Sequence, residues 1–138
     1  MTIYGNITLI NSGDIEMAKR HIIGEEEIKK MTIKMMVDSG AYMMAINEVL
    51  RAQLGLVVVD KRKAQLADGS VKEFEIVGPI DVRFENRKAT CNAIVLAGDT
   101  EMLLGAIPME EMDVLIHPNL KKLIVNPAHP MMAQLPMK

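Results

Sequence analysis

The chain has 138 residues, 49% hydrophobic and 25% charged, with a formal net charge of -2. That is one domain with enough apolar side chains for a real core; it excludes a disordered chain and lacks the basic balance of a nucleic-acid binder. Cys91 is the one cysteine, so no intrachain disulfide can form and a reducing, cytoplasmic setting is expected; no apolar stretch approaches the roughly 20 residues that span a bilayer, and no basic segment followed by an apolar run marks a secretory signal.

In chain order, Thr2–Ile10 is apolar and β-branched and reads as a strand. It ends at the turn cluster Asn11-Ser12-Gly13-Asp14. Ile15–Ile23 reads as a second strand, Gly24–Glu27 as a polar break, and Ile28–Val37 as a strand that runs into Asp38-Ser39-Gly40. In Ile46–Leu54 the residues Ile46, Val49, Leu50 and Leu54 share one helical face, with Asn47 placed to cap the start and Gly55 the end. Leu56–Leu66 and Val71–Phe84 flank Asp68-Gly69, a strong hairpin signal. Gly78-Pro79 interrupts the second arm, where a bend or bulge is expected because Pro cannot donate to the ladder. Glu85–Lys88 is a turn and Ala89–Leu96 another strand. A short helix is expected with Pro108 at its first position, followed by Met109, Glu110, Glu111 and Met112. Val114–Ile116 and Leu123–Val125 close the pattern, and from Pro127 the proline-rich end, residues 127–138, reads as a tail. Many short strands with one or two short helices predict a mainly β domain, a small closed barrel or sandwich over residues 1–126.

The chain has no Trp, two Phe and two Tyr, but thirteen Met. Met adapts to irregular gaps, which predicts a Met-filled core and, at Met43 and Met44, a pliable apolar pocket beside the stretch that carries chemistry.

That stretch is Val37-Asp38-Ser39-Gly40-Ala41. An apolar strand delivers a carboxylate into a tight turn, where Gly lets the backbone approach closely and a hydroxyl is available to fix the loop. Further along come Ala67-Asp68-Gly69-Ser70 and then Leu103-Leu104-Gly105-Ala106. This ordered set resembles the retropepsin-like aspartic proteases, which carry Asp-Thr/Ser-Gly-Ala at the end of a strand, a hairpin flap, and an apolar pair with Gly leading into a short helix. The resemblance spans roughly residues 2–126 and implies the small closed β-barrel of the acid-protease type. It implies Asp38 as the catalytic carboxylate, Ser39, Gly40 and Ala41 as its supporting loop, and Ala67, Asp68, Gly69 and Ser70 as the flap. Leu103 and Leu104 would join Met43 and Met44 near the substrate. Two departures stand out. Viral members carry further acids where this chain has Tyr42-Met43-Met44, and an Arg where it has Ala106-Ile107-Pro108, so the ion pairs that lock their dimers are missing.

Such enzymes use two carboxylates that share a proton. This chain has a single Asp-Ser-Gly. Asp99-Thr100 is followed by Glu101, Asp14 follows its Gly, and Asp68 belongs to a turn. The expected function is therefore an aspartic endopeptidase that works as a homodimer on extended peptide or protein substrates. The alternative is a catalytically silent dimerisation or peptide-binding module on the same fold. No cofactor and no metal are expected, since His21, His117 and His129 lack ligand spacing, and neither a membrane nor a nucleic acid is an expected partner.

Overall fold

The computed structural model describes residues 2–135. The alternating apolar residues of the first segment form β1, Tyr4–Asn11, which buries Ile7 and Leu9 completely. It pairs antiparallel with β2, Lys30–Val37, from Tyr4 opposite Met36 to Ile10 opposite Lys30.

The segment between them differs from expectation. Ser12–Lys19 is a helix, α1, where a strand was predicted over 15–23. The cluster at Asn11 is an N-cap rather than a hairpin turn: the Asn11 side chain accepts a hydrogen bond from the Asp14 N–H at 3.1 Å. Asp14 is buried beneath the helix and accepts from the Lys29 N–H at 3.0 Å. Ile15 and Ala18, three residues apart on one helical face, are half-buried while Glu16 and Met17 are exposed, and Ile22 lies beyond the helix. The polar break at Glu25–Glu27 is a single 3-10 turn.

After the Asp38 loop comes β3, Met44–Asn47, which the sequence reading merged into the following helix. Ile46 pairs with Val95 in a parallel ladder instead of joining the helical stripe. The helix α2 is Glu48–Leu54, capped as predicted by the Asn47 side chain, which accepts from the Leu50 N–H at 2.9 Å, and by Gly55 in the left-handed region. Leu50 and Leu54 are buried, but Val49 is 50% exposed.

β4, Val58–Gln65, and β5, Val71–Phe84, form the predicted hairpin. β5 turns at Glu85-Asn86 into β6, Arg87–Leu96, and its register against β6 shifts between Val77 and Ile80, at the expected Gly78-Pro79 interruption. β7 is the two-residue Leu103–Leu104, inserted between β2 and β3. α3 follows at Ala106–Met112, with Pro108 third in the helix rather than first. That position is still in the first turn, where an N–H has no intrahelical acceptor. β8, Val114–His117, and β9, Lys122–Val125, form a separate hairpin.

The large sheet runs β1-β2-β7-β3-β6-β5-β4, and β1 also pairs with β5. The strands from β1 to β5 thus close on themselves, and β4 hangs outside as a free edge. This is the closed, mainly β architecture expected. Its core holds Ile7, Leu9, Ile46, Leu54, Val77, Ile80 and Val82, together with Met35, Met44, Met109 and Met112, so the methionines do fill it. No helix among the described residues is long and apolar enough to cross a membrane.

Candidate active site

β2 carries the chain out of the core at Val37, whose N–H donates to the Ile3 carbonyl at 2.7 Å. The Asp38 N–H then donates to the Leu104 carbonyl at 3.0 Å, and the Ala41 N–H closes the turn on the Asp38 carbonyl at 3.1 Å. Beyond the turn, the Ala106 N–H donates to the Ala41 carbonyl at 2.7 Å and the Ile107 N–H to the Tyr42 carbonyl at 3.1 Å. The loop is held on its way in by β1 and β7, and on its way out by the start of α3.

The Asp38 side chain is only partly buried. Its Oδ1 accepts from the Gly40 N–H at 2.9 Å, and Oδ2 has no hydrogen-bond partner among the described residues. Ser39 is exposed, and its hydroxyl makes no hydrogen bond among them. The Gly40 amide therefore fixes the carboxylate, where the sequence suggested the hydroxyl would fix the loop.

Gly105 shows why the Leu-Leu-Gly segment matters. A Cβ built there would lie 2.5 Å from the Met43 carbonyl oxygen and 2.9 Å from that of Ala41. Those contacts are with backbone that cannot swing aside, so α3 can approach the Asp38 loop only if residue 105 has no side chain. Leu104 is fully buried and pairs with Val37; Leu103 is half-buried, between Met36 and Ala45.

The four residues assigned to the pocket divide. Met44 and Leu104 have no exposed surface and pack into the core, although Met44 also borders the hollow beside the loop. Met43 and Leu103 remain partly exposed. Met43 lines a hollow of about 370 Å³ beside the loop, together with Tyr42, Arg62, Asn92 and Ile107. Arg62 went unremarked in the sequence, where it is one charge in an exposed strand, and Ile107 was noted only within the stretch that replaces an Arg. Cys91 also borders this hollow, and burial pushes its thiol up to about 12, so it is a protonated wall residue and not a nucleophile.

The β4–β5 hairpin ends at Ala67–Ser70, all exposed. Gly69 has φ +88°, and a Cβ there would meet nothing within 4 Å. Asp68 accepts from the Ser70 N–H at 2.9 Å and from its hydroxyl at 2.5 Å, which holds the Asp68 carboxyl below its usual range. No hydrogen bond joins this tip to the Asp38 loop among the described residues, although Arg62 on β4 brings the hairpin to the hollow beside Met43. No group of three or more His, Cys, Asp or Glu side chains among the described residues could hold a metal ion.

A closed β domain with a partly exposed aspartate on a braced loop has the build of a retroviral-type aspartyl protease domain. The model of the gag-polyprotein putative aspartyl protease family matches residues 25–110, and the chain belongs to that family. That stretch takes in the Asp38 loop, the β4–β5 hairpin and Leu103–Ala106. The fold is similar to the crystal structure of the retroviral protease-like domain of Ddi1 from Leishmania major, with a TM-score of 0.57 and 17% identity, covering 92% of this chain and 90% of that one. No curated protein matches the chain in sequence.

Proposed function

We propose that the protein is an aspartic endopeptidase in which Asp38 and the same residue of a second copy form the catalytic pair. The observation that carries this reading is the Asp38 loop. Its carboxylate is oriented by the Gly40 N–H at 2.9 Å, is accessible, and sits on a turn braced from both sides. A group held in this way loses little freedom when substrate arrives.

Each chain supplies one such loop, so the active unit is a homodimer with the two carboxylates across a two-fold axis. The ionised member takes a proton from a bound water, and the water oxygen attacks the scissile carbonyl. The protonated member donates to the carbonyl oxygen as charge develops there. The tetrahedral adduct then collapses as the carboxyl that took the water's proton passes it to the amide nitrogen, which breaks the C–N bond, and no covalent enzyme intermediate forms. In this reading the β4–β5 hairpin is the flap, with Ala67, Asp68, Gly69 and Ser70 at its tip. Closure would exclude water and offer backbone hydrogen bonds to an extended peptide.

The test is to incubate the purified protein with a diverse peptide pool from about pH 3 to about pH 8. A transition-state-mimic inhibitor of aspartic proteases and the Asp38→Asn variant serve as controls. Cleavage that is inhibitor-sensitive and absent in the variant is the expected result. Binding of peptides without cleavage at any pH would establish the silent module instead. Cleavage retained by Asp38→Asn would remove Asp38 from the mechanism.

A further inference from the structure

The hollow beside Met43 adjoins a larger one. Thr90 and Ile107 line both, and the second hollow, of about 630 Å³, runs along α3 past Met109 to Leu135. Its walls are largely apolar, and Glu110 and Glu111 stand along it. Both glutamates are exposed, and neither is in an ion pair among the described residues. Glu111 uses Oε2 to accept from the Thr90 N–H at 2.8 Å, which fixes its carboxylate against β6. Asp113 also borders the hollow, but its carboxylate is occupied by Asn126, His129 and the Gln134 N–H.

The near end has the opposite character. Arg62 lines it, with its charge partly offset by Asp60 at 3.5 Å. Taken together, the two hollows outline a path with a cation at the end beside Tyr42 and Met43 and two carboxylates at the far end.

We propose that this path extends the substrate cleft and recognises an extended apolar peptide carrying a basic residue several positions away from the scissile bond. The inference rests on reading the Asp38 loop as the catalytic site. The near hollow is lined by Tyr42 and Met43, which follow that loop directly in the chain, so a peptide lying across Asp38 would meet it first. Charge complementarity sets the class of residue: Lys or Arg facing Glu110 and Glu111 gains attraction, whereas at the near end it would meet Arg62. The helical rise of about 1.5 Å per residue places Glu111 about 6 Å beyond Ile107. That distance corresponds to about two residues of extended peptide.

The test measures binding without turnover. Fluorescent peptides with one apolar centre, ending in either two Lys or two Glu, are titrated into the Asp38→Asn protein and followed by anisotropy. The Lys-ended peptide is expected to bind several-fold more tightly, since partly exposed ion pairs contribute up to about fivefold each. Adding Glu110→Gln and Glu111→Gln should erase the preference. The amide introduced by Glu111→Gln keeps an acceptor for the Thr90 N–H, and circular dichroism checks the fold. Equal binding of the two peptides, a preference that survives both Gln substitutions, or no binding of either would overturn the proposal. The two readings fail separately. Cleavage by the wild-type protein with no dependence on end charge removes the groove and leaves the protease. A Glu110- and Glu111-dependent preference without cleavage leaves the groove and removes the protease.

Discussion

At the scale of single residues, the Asp38 loop is built by what surrounds it more than by its own side chains. The Gly40 amide orients the carboxylate, the Leu104 carbonyl takes the Asp38 N–H, and Gly105 lets α3 come close. Asp38, Gly40 and Leu104 were legible as parts of a motif, because residue types alone define it. The steric role of Gly105 was not, since it depends on Met43 and Ala41, which lie far earlier in the chain. Gly105→Ala is expected to destabilise the fold by about 1–3 kcal/mol, the usual cost of forcing a methyl into filled space. Urea unfolding measures it, and the same variant should lose activity even where it remains folded, because the Asp38 loop must move. A stability within error of wild type would show that the close approach is not required. Met44 illustrates the opposite limit: a Met beside a motif suits a pocket or a core equally well, and only burial decides.

At the scale of elements, two segments show how side-chain partners choose among local conformations. Ile15–Ile23 carries apolar residues at spacings that fit a strand or a helix, and the Asn11 cap with buried Asp14 settles it as α1. The segment read as a tail is tied down over its described part, while residues 136–138 lie outside the described residues. Arg87 donates to the His129 carbonyl, and Asn86 to that of Pro130 at 3.0 Å. Asp113 accepts from the Gln134 N–H and the Asn126 side chain, each at 3.0 Å, and meets His129 at 2.7 Å. The Gln134 N–H, then the Asn126 side chain, then His129 hold the Asp113 carboxyl down at about 2, below its ordinary 3.8. A depressed carboxylate stabilises the fold fully above 3.8 and loses that contribution as pH falls towards 2. The Gln134 amide resonance should therefore shift with a midpoint near 2 in wild type and show no such shift in Asp113→Asn. Asn tolerates the left-handed backbone at this position, φ +55°, so the variant should fold. A midpoint near 3.8 in wild type would show that the clasp does not form. The β4–β5 hairpin supplies a second test. Gly69 has φ +88° and open space around it, so Gly69→Val meets backbone strain but no clash. It should slow kcat/KM more than it lowers stability; an unchanged kcat/KM would show that this hairpin does not cover substrate.

At the scale of the whole molecule, the proposed pairing of Asp38 with its copy in a second chain would make activity a property of the dimer. Specific activity should fall on dilution through the range in which the dimer dissociates, measured beside sedimentation or light scattering. A monomer with full activity would contradict the paired mechanism. The missing acids at Tyr42-Met43-Met44 and the missing Arg at Ala106-Ile107-Pro108 remove charge from the region beside the loop, so dimerisation should respond weakly to salt. Activity requires the singly protonated pair, so kcat should rise and then fall with pH and peak on the acidic side of neutral. A flat kcat over the same range in a fully dimeric sample would rule out a shared proton.

The sequence by itself determined the fold class, the order of most strands, both caps of α2 and the loop that holds Asp38. Those features rest on short-range chemistry: alternation along a strand, an Asn before a helix, a Gly after it, and a motif whose parts keep their order. The tertiary structure alone decided the rest. It made Ile46 a strand residue by setting Val95 beside it, and it buried Met44 while leaving Met43 partly exposed, though both border one hollow. It set that hollow beside the one along α3 and closed the sheet by pairing β1 with β5. Each of these depends on residues far apart in the chain, whose contacts follow from how the strands close on one another and not from local preference.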